Sequence, residues 1–211
     1  MHSVVVVDGH PAIRLAVRTA LISSGQFQVV GEAGDGPSAL AVIREHQPNL
    51  VILDLDLPRL NGLDVIERVR KSQPQTKVVV LSGQEESIFG TRALRAGANA
   101  FISKSEDLQR MIEAARAVLA GYTIFASSIM TSSQAALADG GRPGALIRRL
   151  SNRELTVLQH LARGMSNKEI ADMLLISNKT VSGYKARIFE KLNVSSLVEL
   201  VDFSRAHQLV S

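Results

Sequence analysis

Leu50-Val-Ile-Leu-Asp-Leu-Asp-Leu-Pro-Arg-Leu-Asn-Gly-Leu63 is the stretch that decides the fold. Four apolar residues, Leu50 to Leu53, run straight into the carboxylates Asp54 and Asp56. Pro58 and Gly62 then interrupt, and helical spacing resumes from Leu63. An unbroken apolar run bounded by turn residues predicts a strand buried on both faces, as in a parallel sheet covered by helices. Asp54 then emerges at the strand's carboxyl end, the edge of an open α/β sheet where ligands and chemistry sit. An isolated D-x-D pair more often just solubilises a loop, so its weight here depends on what the other strands end in.

Upstream, Ser3 to Val7 is a β-branched run ending at Asp8, and Pro11 suits the first turn of a helix in which Ile13, Val17, Leu21 and Ile22 repeat through Ser23. Phe27 to Ala33 reads as a second strand, and Pro37 to Glu45 as a helix with Leu40 and Ile43 inward. Downstream follow a helix over Leu63 to Lys71, a buried strand over Lys77 to Ser82, and a helix over Ser87 to Ala96 stopped by Gly97. Ala100 to Lys104 is a fifth strand, and Glu106 to Ala120 a fifth helix. Five β-α units predict an α/β doubly wound, five-stranded parallel sheet. Asp8, Asp54, Ser82 and Lys104 end four of its strands, so two carboxylates, a hydroxyl and an ammonium converge on one edge.

The rest of the composition sets limits. A chain of 211 residues accommodates two ordinary domains. It has no cysteine, which excludes disulfides and thiolate metal sites and fits a reducing, cytoplasmic setting. No apolar run approaches ~18 residues, and Met1-His2-Ser3-Val4 lacks a basic leader, so neither a membrane partner nor a signal peptide is expected. Residues 1–147 carry 14 basic and 14 acidic side chains, residues 148–211 carry 10 and 6. The whole excess of 4 therefore sits in the second part, which points to a polyanionic partner for that part alone.

A carboxylate can attack phosphorus to give an acyl phosphate, with Mg²⁺ on oxygen ligands neutralising the incoming group. Ser82 is suited to donate a hydrogen bond to a phosphoryl oxygen, and Lys104 to pair with it as a point charge. Asp8-Gly-His-Pro11, Asp54-x-x-x-Pro58, Leu81-Ser82-Gly83 and Phe101-x-x-Lys104 resemble the receiver domain of two-component response regulators. That resemblance covers about residues 1–122 and implies a flavodoxin-like fold, Asp54 as phospho-acceptor, and Ser82, Phe101 and Lys104 as the conformational switch. Packing alone would account for Phe101 equally well. It also implies a Mg²⁺ held by Asp8, Asp54 and the backbone carbonyl at Asp56. Gly9 departs from the family, which has a second acidic metal ligand there, so weakened Mg²⁺ binding is expected.

From Tyr122 the pattern loosens. Ser127 to Ser133 and Ala138-Asp-Gly-Gly-Arg-Pro-Gly144 suit a flexible linker over residues 123–147, with a short helix around Ser127 to Ala136. Ser151 with Glu154 forms a capping box before a helix lined by Leu155, Leu158 and Leu161, and Gly164 ends it. A short helix over Asn167 to Leu174, a tight turn at Leu175-Ile176, and a helix capped by Ser177 with Val181, Ile188 and Leu192 inward read as a helix-turn-helix. Its outward face carries Lys179, Thr180, Ser182, Gly183, Tyr184, Lys185 and Arg187. A last helix, Ser196 to Arg205, carries Leu197, Val198, Leu200 and Val201, which either fill the core or in part serve a dimer contact.

Leu150-Ser-Asn-Arg-Glu-Leu-Thr-Val-Leu158, Gly164-Met-Ser-Asn-Lys-Glu-Ile-Ala171, Ser177-x-Lys-Thr-Val181 and Lys191-Leu-Asn-Val194 resemble the LuxR-type DNA-binding domain, over about residues 148–211. Receiver plus this all-α four-helix domain is the NarL/FixJ class of response regulators. Asn178-Lys-Thr-Val-Ser, Tyr184-Lys and Ala120-Gly-Tyr-x-x-Phe125 are most similar to the Bvg and Evg type. Ser182 and Gly183 stand where NarL-like members use Lys and Val to read bases, so a different base preference is implied. The resemblance implies a sensor histidine kinase or phosphotransfer protein and double-stranded DNA as partners, a homodimer as the active form, and a regulator in place of an enzyme. Gly9 leaves open a receiver that only dimerises, without phosphorylation. Asp54-Leu-Asp56 also resembles the D-x-D motif of haloacid-dehalogenase-type phosphatases, although Pro58 and the helix-turn-helix depart from that family.

Overall fold

A computed structural model describes residues 1–127, 129, 146, 147, 149–207, 209 and 210. The chain divides into two compact units, residues 1–134 and 135–211. Much of the segment 123–147, with most of the helix expected around Ser127 to Ala136, lies outside the described residues.

In the first unit five parallel strands alternate with helices: β1 (His2–Val7), α1 (Pro11–Ser23), β2 (Phe27–Ala33), α2 (Gly36–His46), β3 (Leu50–Leu53), α3 (Gly62–Ser72), β4 (Lys77–Ser82), α4 (Glu86–Ala96), β5 (Ala100–Ser103) and α5 (Leu108–Leu119). The strand order β2-β1-β3-β4-β5 reverses at β1, so the crevice beside β1 and β3 opens at their carboxyl ends. Every residue of β3 is buried, as its apolar run requires. Val4, Val6, Leu50, Ile52, Val79 and Ile102 form a core with Val17 and Leu21 of α1 and Met111, Ala115 and Val118 of α5.

Three local expectations change. Ile22 shares the helical spacing of Val17 and Leu21 but lies on the exposed side of α1. On α2 the buried residues are Gly36, Ala39 and Ile43, with Leu40 half-buried at the stripe's margin. Helix α5 starts at Leu108 and not at Glu106, because the Asp107 carboxylate accepts from the Gln109 N–H and makes Asp107 the N-cap.

The second unit holds α6 (Asn152–Ala162), α7 (Asn167–Leu174), α8 (Asn178–Leu192) and α9 (Leu197–Ala206). Capping boxes at Ser151/Glu154 and Ser166/Glu169 fix the starts of α6 and α7, and Ser177 caps α8. Leu155, Leu158, Leu161, Ile170, Leu174, Val181, Ile188, Leu192 and Leu200 are buried together in the unit's core. Between α7 and α8 the chain turns on Leu175 at φ 52°, a left-handed conformation that usually falls to glycine. On α9 Leu200 is buried, whereas Leu197 and Val198 are exposed.

Candidate functional site

At the carboxyl edge of the sheet, β1 hands over to Asp8 and β3 to Asp54, both almost fully buried. Their backbones stay tied to the sheet: the Asp8 N–H donates to Ala33 (3.1 Å) and the Asp54 N–H to Val7 (2.8 Å). Gly62 lets the start of α3 press against this corner, since a Cβ there would overlap the Asp54 carbonyl oxygen. Asn61 caps α3 through the Asp64 N–H at 2.9 Å.

Lys104, just past β5, joins the two acids. Its Nζ lies 2.7 Å from Asp8 Oδ2 and 2.7 Å from Asp54 Oδ2. The other carboxylate oxygens are also engaged. Asp54 Oδ1 accepts from the Asp56 N–H (3.2 Å), and Asp8 Oδ1 from the His10 N–H (2.8 Å) and lies 3.1 Å from His10 Nδ1. Burial pushes the Asp54 carboxyl above its usual range; the Lys104 charge and hydrogen bond oppose this without cancelling it, and the Asp8 charge adds to it. For Lys104, burial alone would lower the ammonium, but the Asp54 charge and the hydrogen bonds to Asp54 and Asp8 outweigh it, so the net shift is upward.

Ser82 is wholly buried at the end of β4, and its hydroxyl accepts from the Gln84 N–H at 3.2 Å. The Lys104 N–H donates to the Ser82 carbonyl at 2.9 Å, so two of the expected switch residues are joined through the backbone. Phe101 is buried on β5. His10 was not anticipated from sequence. One nitrogen of its ring and one oxygen each from Asp8 and Asp54 lie within 4.8 Å of one another.

In the second unit α8 carries the basic face. Lys179, Thr180, Ser182 and Arg187 are exposed, and Gly183, Tyr184 and Lys185 half-buried. Several of these side chains are already braced. Ser182 Oγ accepts from Asn167 Nδ2 of α7 (3.1 Å), and the Thr180 and Ser177 hydroxyls are 2.7 Å apart. The Arg187 guanidinium sits 4.8 Å from the Tyr184 ring centre and 3.4 Å from Glu154 Oε1, and Lys191 Nζ is 2.7 Å from Glu154 Oε2. Buried Glu154 thus closes the α6 capping box and anchors α8 as well. Burial would raise its carboxyl, but the Lys191 hydrogen bond and those from Ser151 hold it below the usual carboxylate range. Neither Asn167 nor Glu154 stood out in the sequence as a support for α8.

Residues 4–116 match the response regulator receiver domain family, and residues 148–204 match the bacterial regulatory proteins of the luxR family. The chain belongs to the NarL/FixJ class of response regulators. This response regulator is similar over its whole length to the virulence-factor transcription regulator BvgA of Bordetella pertussis, with 48% identity over 209 residues covering 99% of each chain. It is 33% identical over 211 residues to the DNA-binding transcriptional activator EvgA of Escherichia coli, covering 97% of this chain and 98% of that one. The receiver of NarL from Mycobacterium tuberculosis is 36% identical, covers 57% of this chain and 97% of its own, and superposes with a TM-score of 0.55. RcsB of Salmonella enterica bound to the promoter rprA, at 23% identity, shares the fold over 98% of this chain and 100% of its own with a TM-score of 0.69. Receiver and luxR-type domains together make this response regulator a DNA-binding transcription regulator. Among the described residues no helix is long and apolar enough to cross a membrane.

Proposed function

We propose that Asp54 takes a phosphoryl group from a histidine of a sensor kinase or phosphotransfer protein, and that this promotes a homodimer which binds promoter DNA through α8. The receiver is assigned to residues 1–122, the linker to 123–147 and the DNA-binding domain to 148–211. The observation that carries the reading is the Lys104 ammonium at 2.7 Å from both Asp8 and Asp54, on the buried carboxyl edge of the sheet. An Asp54 oxygen attacks phosphorus, the P–N bond to the donor imidazole breaks as the P–O bond forms, and the imidazole, protonated on its other ring nitrogen, leaves as the neutral base. Lys104 would meet phosphoryl oxygens as a charge, and the Ser82 hydroxyl as a donor once it turns from Gln84.

The two buried carboxylates are a donor set of hard oxygens that fits Mg²⁺, which Asp8, Asp54 and the Asp56 carbonyl would hold. When bound, the ion would offset the charge of the phosphoryl oxygens. Gly9 removes one carboxylate from this set, and a receiver that dimerises without phosphorylation is the second reading it favours. EvgA is by name a DNA-binding activator, which supports α8 as the DNA-reading element here, with Lys179, Thr180 and Lys185 on phosphates and Ser182, Gly183, Tyr184 and Arg187 toward bases. Exposed Leu197 and Val198 on α9 are our candidates for a dimer contact.

The test incubates the chain with acetyl phosphate and Mg²⁺ and measures mass and DNA affinity together. One added phosphoryl group, lost in Asp54→Ala, with a parallel gain in affinity is the expected result. A group that still adds to Asp54→Ala refutes the acceptor assignment, and affinity that ignores the modification favours the second reading.

A further inference from the structure

A helical hydroxyl commonly gives its proton to the carbonyl four residues earlier, as Thr19, Ser72, Thr156 and Ser204 do here at 2.7–3.0 Å. Ser182 on α8 departs from this. It is exposed, and among the described residues its one hydrogen bond is received: the oxygen accepts from Asn167 Nδ2 at 3.1 Å. The nearby Ser177 and Thr180 hydroxyls lie 2.7 Å apart and either can donate, so that pair has no fixed sense. An amide nitrogen only donates, so the Asn167–Ser182 bond runs one way and leaves the Ser182 proton for a partner outside the protein. Asn167 is the first residue of α7, fixed by the capping box in which the Ser166 N–H donates to Glu169 Oε2 (2.7 Å) and the Glu169 N–H to Ser166 Oγ (3.3 Å). Beside Ser182, Gly183 adds no side chain, and a Cβ there would meet nothing nearer than Arg187 Nη1 at 4.0 Å.

We propose that Asn167 is a positioning residue for base readout, holding Ser182 as a hydrogen-bond donor so that α8 selects a base edge presenting an acceptor. This inference rests on α8 being the DNA-reading helix with Ser182 toward the bases. In the major groove guanine offers N7 and O6 and thymine offers O4, all acceptors, whereas cytosine offers only its N4 amino group. A free serine hydroxyl serves either kind of edge, since it donates as well as accepts. With the Asn167 amide on the Ser182 oxygen, that choice is removed. An amino group in the same place would set the Ser182 proton against another donor, losing the bond and leaving a polar group unmatched. Asn167 thereby shapes sequence preference from the neighbouring helix, through the sense of one hydrogen bond.

Selection of the full chain on a random duplex library, followed by sequencing, gives base ratios within each variant, so a uniform change in affinity drops out. One motif position should show a preference of about three- to tenfold in the wild type that Ser182→Ala flattens, with the other positions unmoved. Asn167→Asp replaces the amide nitrogen by an acceptor, and an acid in the first turn of α7 suits the helix. Its carboxylate takes the Ser182 proton and leaves the Ser182 oxygen to accept from the base. The same position should then shift to a base whose amino group donates, cytosine or adenine. Asn167→Ala releases the hydroxyl to play both parts and should level that position alone. An Asn167→Asp chain that keeps or merely flattens the wild-type preference overturns the proposal and leaves α8 as the reader, as does an Asn167→Ala chain that keeps it. A motif that Ser182→Ala leaves intact removes Ser182 from readout and the proposal with it. If the salt slopes of Lys179→Ala and Lys185→Ala are unchanged as well, the reading of α8 itself fails.

Discussion

Gly9→Asp restores the carboxylate that the acid site omits, and the structure has room for it. A Cβ at position 9 would meet Pro58 Cδ at 3.4 Å, the Asp56 carbonyl oxygen at 3.7 Å and the Gly34 carbonyl oxygen at 3.8 Å, all ordinary contacts. The new side chain would start beside the carbonyl assigned to the metal. Without a cation it adds repulsion from Asp8 and Asp54. At ~6 Å and an effective dielectric of ~20 each pair costs ~3 kcal/mol. Lys104 returns about as much as one pair, and the half-buried position screens the remainder, so a net loss of about 1–2 kcal/mol is expected. With Mg²⁺ the sign reverses. Losing an outer-shell partner costs a metal site about 10–100-fold, so gaining a direct ligand should tighten Mg²⁺ by at least that, roughly 1.4–2.7 kcal/mol. The variant should therefore melt below wild type in chelator and at or above it in millimolar Mg²⁺, with calorimetry giving the affinities. Equal Mg²⁺ affinity in the two proteins would refute the reasoning and would mean that His10 or Asp56 already fills the missing place.

Other expectations concern α8 and its supports. Lys179→Ala and Lys185→Ala should each flatten the slope of log affinity against log salt by about one unit, since each removes one phosphate contact; unchanged slopes in both would exclude this face. Gly183→Ala should stabilise the second unit by about 1 kcal/mol, because a Cβ there meets nothing nearer than Arg187 Nη1 at 4.0 Å, while selection from a random duplex library should return a different sequence preference. Glu154 is a carboxyl held below its usual range, so its contribution is present above the unfolded value near 4.5 and is lost as pH falls through the folded value. Denaturation curves of Glu154→Gln should accordingly show about 1–3 kcal/mol lower stability at pH 7 and a flatter loss on acidification; parallel pH profiles would count against the Lys191 anchor.

What was legible in the sequence follows from periodicity. The strands β3 and β4 are uninterrupted apolar runs, so their burial and the placement of Asp54 and Ser82 at their ends could be inferred from spacing alone. Lys104 was legible for the same reason, but its equal reach to Asp8 and Asp54 was not, because that depends on how the sheet twists the ends of β1, β3 and β5 together. Ile22 misled because helical spacing says which residues share a stripe and not where the covering layer stops. The Glu154–Lys191 bond joins residues 37 apart, and a capping glutamate looks the same in sequence whether or not it also holds a second helix. The parallel bridge between Ala100 and Ile124 has no sequence signal at all, since a single residue pairing with an edge strand makes no pattern.

Gly9 also bears on how the charges of the acid corner balance. With Gly9 in place, the buried cluster consists of Asp8, Asp54 and Lys104, one net negative charge, with the ammonium in contact with both carboxylates. A third carboxylate would leave a net charge of two, which a buried site tolerates poorly unless a divalent ion is present. Lys104 already occupies the bridging position between the two acids and offsets one of their charges. The consequence is directional. An incoming phosphoryl group must draw Lys104 away from Asp8 or share it, and any cation that joins must compete with an ammonium 2.7 Å from both acids. Phosphorylation here should therefore require Lys104 to be redeployed. Lys104→Ala separates the two demands: it should tighten Mg²⁺ binding, since the competing charge is gone, while abolishing the DNA-binding response to phosphorylation. A variant that binds Mg²⁺ more weakly than wild type would show that Lys104 organises the acids for the ion and does not compete with it.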